Sequence, residues 1–155
     1  TCRVIDYLVP TATEGNKALA TLVDKNGNNV KTYSSDAKDI TMPMAVLINS
    51  DTAGYGELFA CDLKDFGKAF LIGEKTAGRA DVQETFELSD GGAVVLTTSK
   101  MLPYISESFD GKGLTPDTEI ILADSLRENL STLEKERDTQ LQAAISMLAG
   151  NSSED

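Results

Sequence analysis

The residues Asp51-Thr52-Ala53-Gly54-Tyr55-Gly56-Glu57 have the composition of a tight turn that leads from a strand into a helix. The first N–H groups of a helix have no partner inside it. They can hold an oxyanion, and a side chain on such a turn can be presented as a nucleophile. This turn carries neither serine nor cysteine. The plain reading is a connection whose glycines supply permissive backbone. Two nearby groups are the remaining nucleophile candidates. Thr52 lies two residues before Gly54, and Cys61 lies one helical turn past Glu57. Each has a structural reading as well, Thr52 as a turn residue and Cys61 as a packed core thiol.

Composition removes much other chemistry. The 155 residues include no histidine and two cysteines, Cys2 and Cys61. Ser-His-Asp and Cys-His catalysis are therefore excluded. So are zinc sites that require histidine or four cysteines. No acidic cluster has calcium-loop spacing, and no glycine-rich phosphate loop with its lysine is present. No metal and no cofactor is implied. Fourteen basic residues against 25 acidic ones leave a net charge of −11. That charge argues against nucleic acid, whose binding rests on phosphate neutralisation, and against anionic membrane surfaces. The longest apolar run, Met44 to Ile48, is far too short to span a bilayer, and no signal peptide is legible.

Elements must position the turn. Val4, Ile5, Leu8 and Val9 read as the end of a helix before Pro10. Residues 18–24 and 29–33 read as strands around an Asn26-Gly27 hairpin signal. A polar stretch, Ser34 to Asp39, follows. Met44 to Asn49 is apolar on both faces, which predicts a central strand covered on two sides. Glu57 to Phe66 carries Leu58, Phe59, Leu63 and Phe66 at helical spacing, with Glu57 in the first turn and Gly67 at the end. A strand over Ala69 to Ile72 and a hairpin of 81–88 with 93–98 come next. Glu119 to Leu122 reads as a short strand. In the tail, Ser125 with Glu128 fits a capping box, with Leu126, Leu130 and Leu133 on one face. Asp138 is placed to cap a last helix bearing Leu141, Ile145 and Leu148, before a frayed end at 151–155. This is an α/β pattern with hairpins and crossovers.

Ordered landmarks in this pattern resemble a known family. They are PMAVLINSDTAGYGELFACDLKDFGKAFLIGEKTAGRADVQ, then LSDGGAVVLTTSKMLP, then GKGLTPD at 111–117. Together they resemble the C-terminal processing peptidases, or tail-specific proteases, which use a Ser–Lys pair and no histidine. The resemblance runs over roughly residues 1–122 and implies a crotonase/ClpP-like spiral core, with residues 123–150 as a helical extension. The family turn places its attacking serine three residues before a glutamate. Anchoring on Glu57 puts Gly54 there. The family loop carries a general-base lysine, and anchoring on Thr76, Gly78 and Gln83 puts Arg79 there. The interval from 54 to 79 is 25 residues, as in the family. Gln83 keeps the position that orients the lysine, and Tyr55 the position whose N–H helps form the oxyanion hole.

These replacements have a plain chemical meaning. Glycine has no atom to attack with. Arginine stays protonated, so it cannot serve as a base. The resemblance therefore implies a degenerate peptidase domain that binds unfolded protein tails or peptides, in the cell envelope or on the extracellular side of a bacterium. Arg79 is expected either to hold a peptide carboxylate or to pair with Glu57 or Glu74, and Tyr55 either to fill the space at Gly54 or to lie on the surface. The family's upstream half-domain and its PDZ module are not visible in the sequence. Two alternatives stand beside this reading. One is an active peptidase with a displaced nucleophile, Thr52 or Cys61. The other is a structural or assembly domain without a ligand cleft, its oligomeric state open.

Overall fold

The computed structural model describes residues 1–9, 18–35 and 42–151. The expectations for Pro10, for residues 36–39 and for the tail at 152–155 fall outside those residues. Two sheets organise the chain. The first is antiparallel and contains β1 (Ala18–Val23), β2 (Asn29–Ser34), β5 (Asp81–Glu87) and β6 (Ala93–Leu102), in the order β2-β1-β6-β5. The second is parallel, with β3 (Met44–Ile48), β4 (Ala69–Gly73) and β7 (Thr118–Glu119) in the order β3-β4-β7. The helix α2 (Tyr55–Asp65) is the crossover from β3 to β4, as parallel pairing requires.

The core explains why α2 is buried on more than one side. Its Leu58 and Leu63 join Ile5 and Val9 from α1 (Cys2–Leu8) and its C-cap, Leu19 and Ala20 of β1, and Met101 of β6. Its Ala60 packs instead on Ile48 and Leu71 of the parallel sheet. A helix wedged between two sheets needs apolar residues around most of its circumference. Six of its residues are buried, including the charged Glu57 and Asp62.

Several expectations need correction. β3 is the outer strand of the parallel sheet, not a central one, and its Leu47 is 38% exposed. The strand paired on both sides is β4, because α2 returns the chain beside β3 and β7 then adds beyond β4. β6 runs four residues past the expected hairpin, because its end at Lys100–Leu102 pairs with β1. β7 is shorter than expected. Beyond it the chain turns into α3 (Asp124–Arg127), whose N-cap is Ala123, so the Ser125–Glu128 capping box does not form. Two short 3-10 turns, Leu130–Thr132 and Lys135–Arg137, break the single face expected of Leu126, Leu130 and Leu133. In α4 (Thr139–Asn151) the Leu141 N–H does donate to Asp138 Oδ1 at 2.9 Å. The buried positions there are Gln140 and Ala144, while Ile145 is exposed. Gln140 is turned inward because its Nε2 donates to the Ile120 carbonyl. Among the described residues no helix is long and apolar enough to cross a membrane, and no acidic or cysteine cluster is arranged to hold a metal ion.

Candidate active site

The turn between β3 and α2 is built around Asn49. Its Oδ1 accepts hydrogen bonds from the Asp51 and Thr52 N–H groups and from the Thr52 hydroxyl. The Thr52 Oγ1 in turn accepts from the Asn49 N–H at 3.1 Å. The threonine hydroxyl is thus committed on both its donor and acceptor sides. At the far end of the turn Gly54 takes φ +60° and ψ −119°. That backbone conformation is costly for any residue with a Cβ. A Cβ built there would still have room, its nearest neighbour being the Arg79 carbonyl at 3.8 Å. The position is therefore spatially open to a side chain but conformationally suited to glycine.

Glu57 joins this turn to the loop after β4. Its carboxylate is fully buried. Oε2 accepts from the Gly54 N–H at 3.0 Å and the Arg79 N–H at 2.8 Å, and Oε1 from the Gly78 N–H at 2.7 Å and the Thr76 hydroxyl at 2.5 Å. A carboxylate has lone pairs for four such bonds. The Ala77 N–H adds a bond to the Thr52 carbonyl. Positions 54 and 79 are in this way drawn together by an acid whose role is structural.

The 111–117 segment buttresses the same loop. The Leu114 N–H donates to Thr76 Oγ1 at 2.6 Å, and the Thr76 N–H donates to the Leu114 carbonyl. A Cβ on Gly113 would lie 2.3 Å from the Thr76 carbonyl oxygen, so only glycine allows this approach. Asp117 closes the segment onto the sheet by accepting from the Leu71 N–H and from Lys64 Nζ. Burial pushes the Asp117 carboxyl up, but these two donors outweigh it and hold the group below the usual range.

The side chains at the site are less tied. Arg79 is solvent-exposed and makes no ion pair among the described residues. Both acids expected to pair with it are occupied: Glu57 by backbone donors and the Thr76 hydroxyl, and Glu74 by Arg127, whose Nη2 donates to both carboxylate oxygens at 2.6 Å. Gln83 is exposed on β5 opposite Thr97, and no hydrogen bond joins it to Arg79. Tyr55 is half exposed. With Thr1, Val4, Gly56 and Phe59 it lines an open groove of about 330 Å³ beside the helix start. Cys61 is buried, and burial, followed by the Asp65 charge, pushes its thiol up to about 12. A thiol so held is not a nucleophile near neutral pH.

Sequence reasoning placed Gly54, Tyr55, Glu57, Arg79 and Gln83 on two neighbouring segments, and the structure brings those segments together. It did not reveal Asn49 as the organiser of the turn, nor Asp117 as a tie to β4. The Asn49-x-x-Thr52 spacing, which suits a side-chain-stabilised turn, was the available signal for the first. Nothing local announces the second, since Asp117 and Leu71 are 46 residues apart.

Comparisons with known proteins agree with this geometry. A sequence profile described as Peptidase family S41 matches residues 6–120. A carboxyl-terminal-processing protease of Picosynechococcus is 34% identical over 119 residues, covering 76% of this chain and 28% of the relative. The chloroplastic carboxyl-terminal-processing peptidase 1 of Arabidopsis thaliana is 40% identical over 103 residues, covering 65% of this chain and 21% of the relative. The chain thus spans well under a third of the length of these curated relatives. Among solved structures, a photosystem II D1 C-terminal processing protease superposes with a TM-score of 0.67 at 29% identity, over 77% of this chain and 30% of that one. An S41 protease structure from Bacteroides fragilis gives 0.71 over 97% of this chain and 41% of that one, and at 23% identity it speaks for the fold alone. The mixed α/β architecture is that of S41 protease structures.

Proposed function

The chain belongs to peptidase family S41, and from that premise we propose that it is a degenerate tail-specific-protease domain that binds polypeptide tails without cutting them. The observation that carries this reading is that, among the described residues, the groups at the 54–79 junction offer no usable nucleophile and base. Gly54 has no side chain, and its left-handed backbone is the one glycine adopts without strain. The Thr52 hydroxyl is held by Asn49 on both sides. The Cys61 thiol is buried and held protonated. Arg79 cannot accept a proton at neutral pH. In place of a base it supplies an unpaired, planar cation at the mouth of the site, and such a group suits a peptide carboxylate. The Tyr55 N–H, at the start of α2, donates to a carbonyl oxygen of the same ligand in this reading. Gln83 then has no lysine to orient.

The ligand class is an extended protein tail or peptide, in keeping with a protease family. We place the protein in the bacterial cell envelope or on its extracellular side, a reading that rests on relatives and that subcellular fractionation would check.

The test uses an unfolded substrate with an apolar C-terminal tail and a fluorescent label. Anisotropy should rise on addition of the unaltered protein while mass spectrometry shows no cleavage. Arg79→Ala should weaken binding of the free-acid tail more than of its C-terminal amide. Cleavage by the unaltered protein would sink the degenerate-site reading, and a Thr52 adduct with an acylating probe would identify the displaced nucleophile. Absence of any tail binding would sink the binding half and favour an assembly role.

A further inference from the structure

The β5–β6 ribbon projects beyond the rest of its sheet. β1 pairs with β6 at Lys100–Leu102, so from Gln83 to Thr97 the two strands have, among the described residues, no strand partner but each other. Residues directly opposite in an antiparallel pair share a face, and that face repeats every second residue. Phe86 faces Val94 and Glu84 faces Leu96, and Leu88 continues the same side. The four apolar side chains of that row are between 38% and 51% exposed. A free two-stranded ribbon with an apolar row gains little stability by itself.

The charge of the ribbon is one-signed. Asp81, Glu84, Glu87 and Asp90 are its ionisable residues, and no lysine or arginine occurs from Asp81 to Ser99. β5 is also the outer strand of its sheet, so its far side offers unpaired backbone N–H and C=O groups. An edge with this pattern accepts an added strand, with pockets or rows for alternate side chains.

We infer that the outer edge of β5, together with the Phe86–Leu96 face, docks an extended segment of another polypeptide in which apolar residues alternate with lysine or arginine. The apolar residues extend the Phe86–Val94 row, and the cations, which alternation puts on the opposite face, meet Asp81 and Glu87 there. Charge complementarity selects this occupant over two others. A second copy paired edge to edge would set Asp81, Glu84 and Glu87 against the same carboxylates, on chains that each carry −11. An anionic lipid surface meets the same repulsion. The proposal does not depend on the reading of the Gly54–Arg79 site, although Gln83 lies on the same strand.

The probe is a short capped peptide alternating lysine with valine, compared with one carrying glutamate in place of lysine. Each is titrated into the full chain by fluorescence anisotropy, and amide hydrogen exchange locates the contact. The lysine peptide should bind and slow exchange along Asp81–Glu87. Phe86→Thr/Leu96→Thr should weaken it about tenfold or more, which a purely electrostatic attraction would not show. Asp81→Lys/Glu87→Lys should invert the preference toward the glutamate peptide. Should an altered ribbon fail to fold by circular dichroism, the exchange map of the unaltered chain decides alone. Equal binding of the two peptides, binding of neither, or protection elsewhere overturns the proposal. So does a dimer of the unaltered chain that dissociates when Phe86 and Leu96 are changed.

Discussion

The junction around Glu57 and the β5–β6 ribbon are a few residues apart in sequence and opposite in construction. At the junction nearly every polar group has a protein partner: Glu57 takes four donors, Thr76 is held from two sides, and Asn49 closes its turn. Glycine is required at positions 78 and 113 because backbones approach too closely for a Cβ. On the ribbon nearly every side chain is exposed, and the strands are held by their own ladder. The contrast teaches where each region's identity comes from. The junction is specified internally, so its geometry does not depend on which side chains stand at positions 54 and 79. The ribbon is specified only along its backbone, so its apolar and acidic side chains are free to serve a partner.

The largest effect should come from emptying the centre of the junction. Glu57→Leu leaves three backbone N–H groups and a hydroxyl without an acceptor and should cost about 4 kcal/mol or more, read by urea denaturation. Gly113→Ala should follow at about 2–4 kcal/mol, because it combines a positive φ with a clash on the Thr76 carbonyl. If either is silent, the junction is less rigid than the ribbon contrast requires.

Asp62 sharpens the comparison within α2 itself. Its Oδ1 accepts from the Tyr104 N–H, while its buried Oδ2 has no partner. Burial pushes its carboxyl up from 3.8 to about 8, the Tyr104 bond working against the shift and the Asp65 charge with it. The folded state therefore keeps a proton that the unfolded state releases. The stabilising contribution is full below pH 3.8 and is lost as pH rises through about 8. Asp62→Asn should raise stability above about pH 8 by on the order of 2 kcal/mol, with a smaller gain at lower pH. Thermal unfolding over a pH series checks it, and a flat difference would show that Asp62 ionises normally.

Gly54→Ser tests the turn with a smaller change. Space is present, so the cost should be the backbone strain alone, about 1–3 kcal/mol. A larger loss would mean that the site has closed around the glycine. The smallest effect belongs to the ribbon, where Val95→Thr should alter stability by no more than about 0.5 kcal/mol by the same denaturation assay.

Legibility followed the range of the interactions. The Asn26-Gly27 hairpin, the Gly67 helix end and the Asp138 cap depend on a few adjacent residues, and the structure has all three. The spacing from Gly54 to Arg79 placed the two candidate positions, and Glu57 bonds to the backbone of both. Leu47 misled, because an apolar strand reads alike whether its sheet continues past it or ends there. Ile145 misled because helical periodicity names a stripe but not the neighbour it faces.

By itself the sequence determined the residue types available for chemistry, the turns, and the alternation that makes strands, since all of these depend on covalent identity and near neighbours. Tertiary structure alone decided that Glu57 accepts from the backbone of two segments, that Glu74 belongs to Arg127, and that, among the described residues, Arg79 has no ion-pair partner and the second hairpin stands uncovered. Those outcomes turn on which distant groups compete for the same hydrogen bonds and the same buried space. That competition is settled only when α2 is packed between the two sheets.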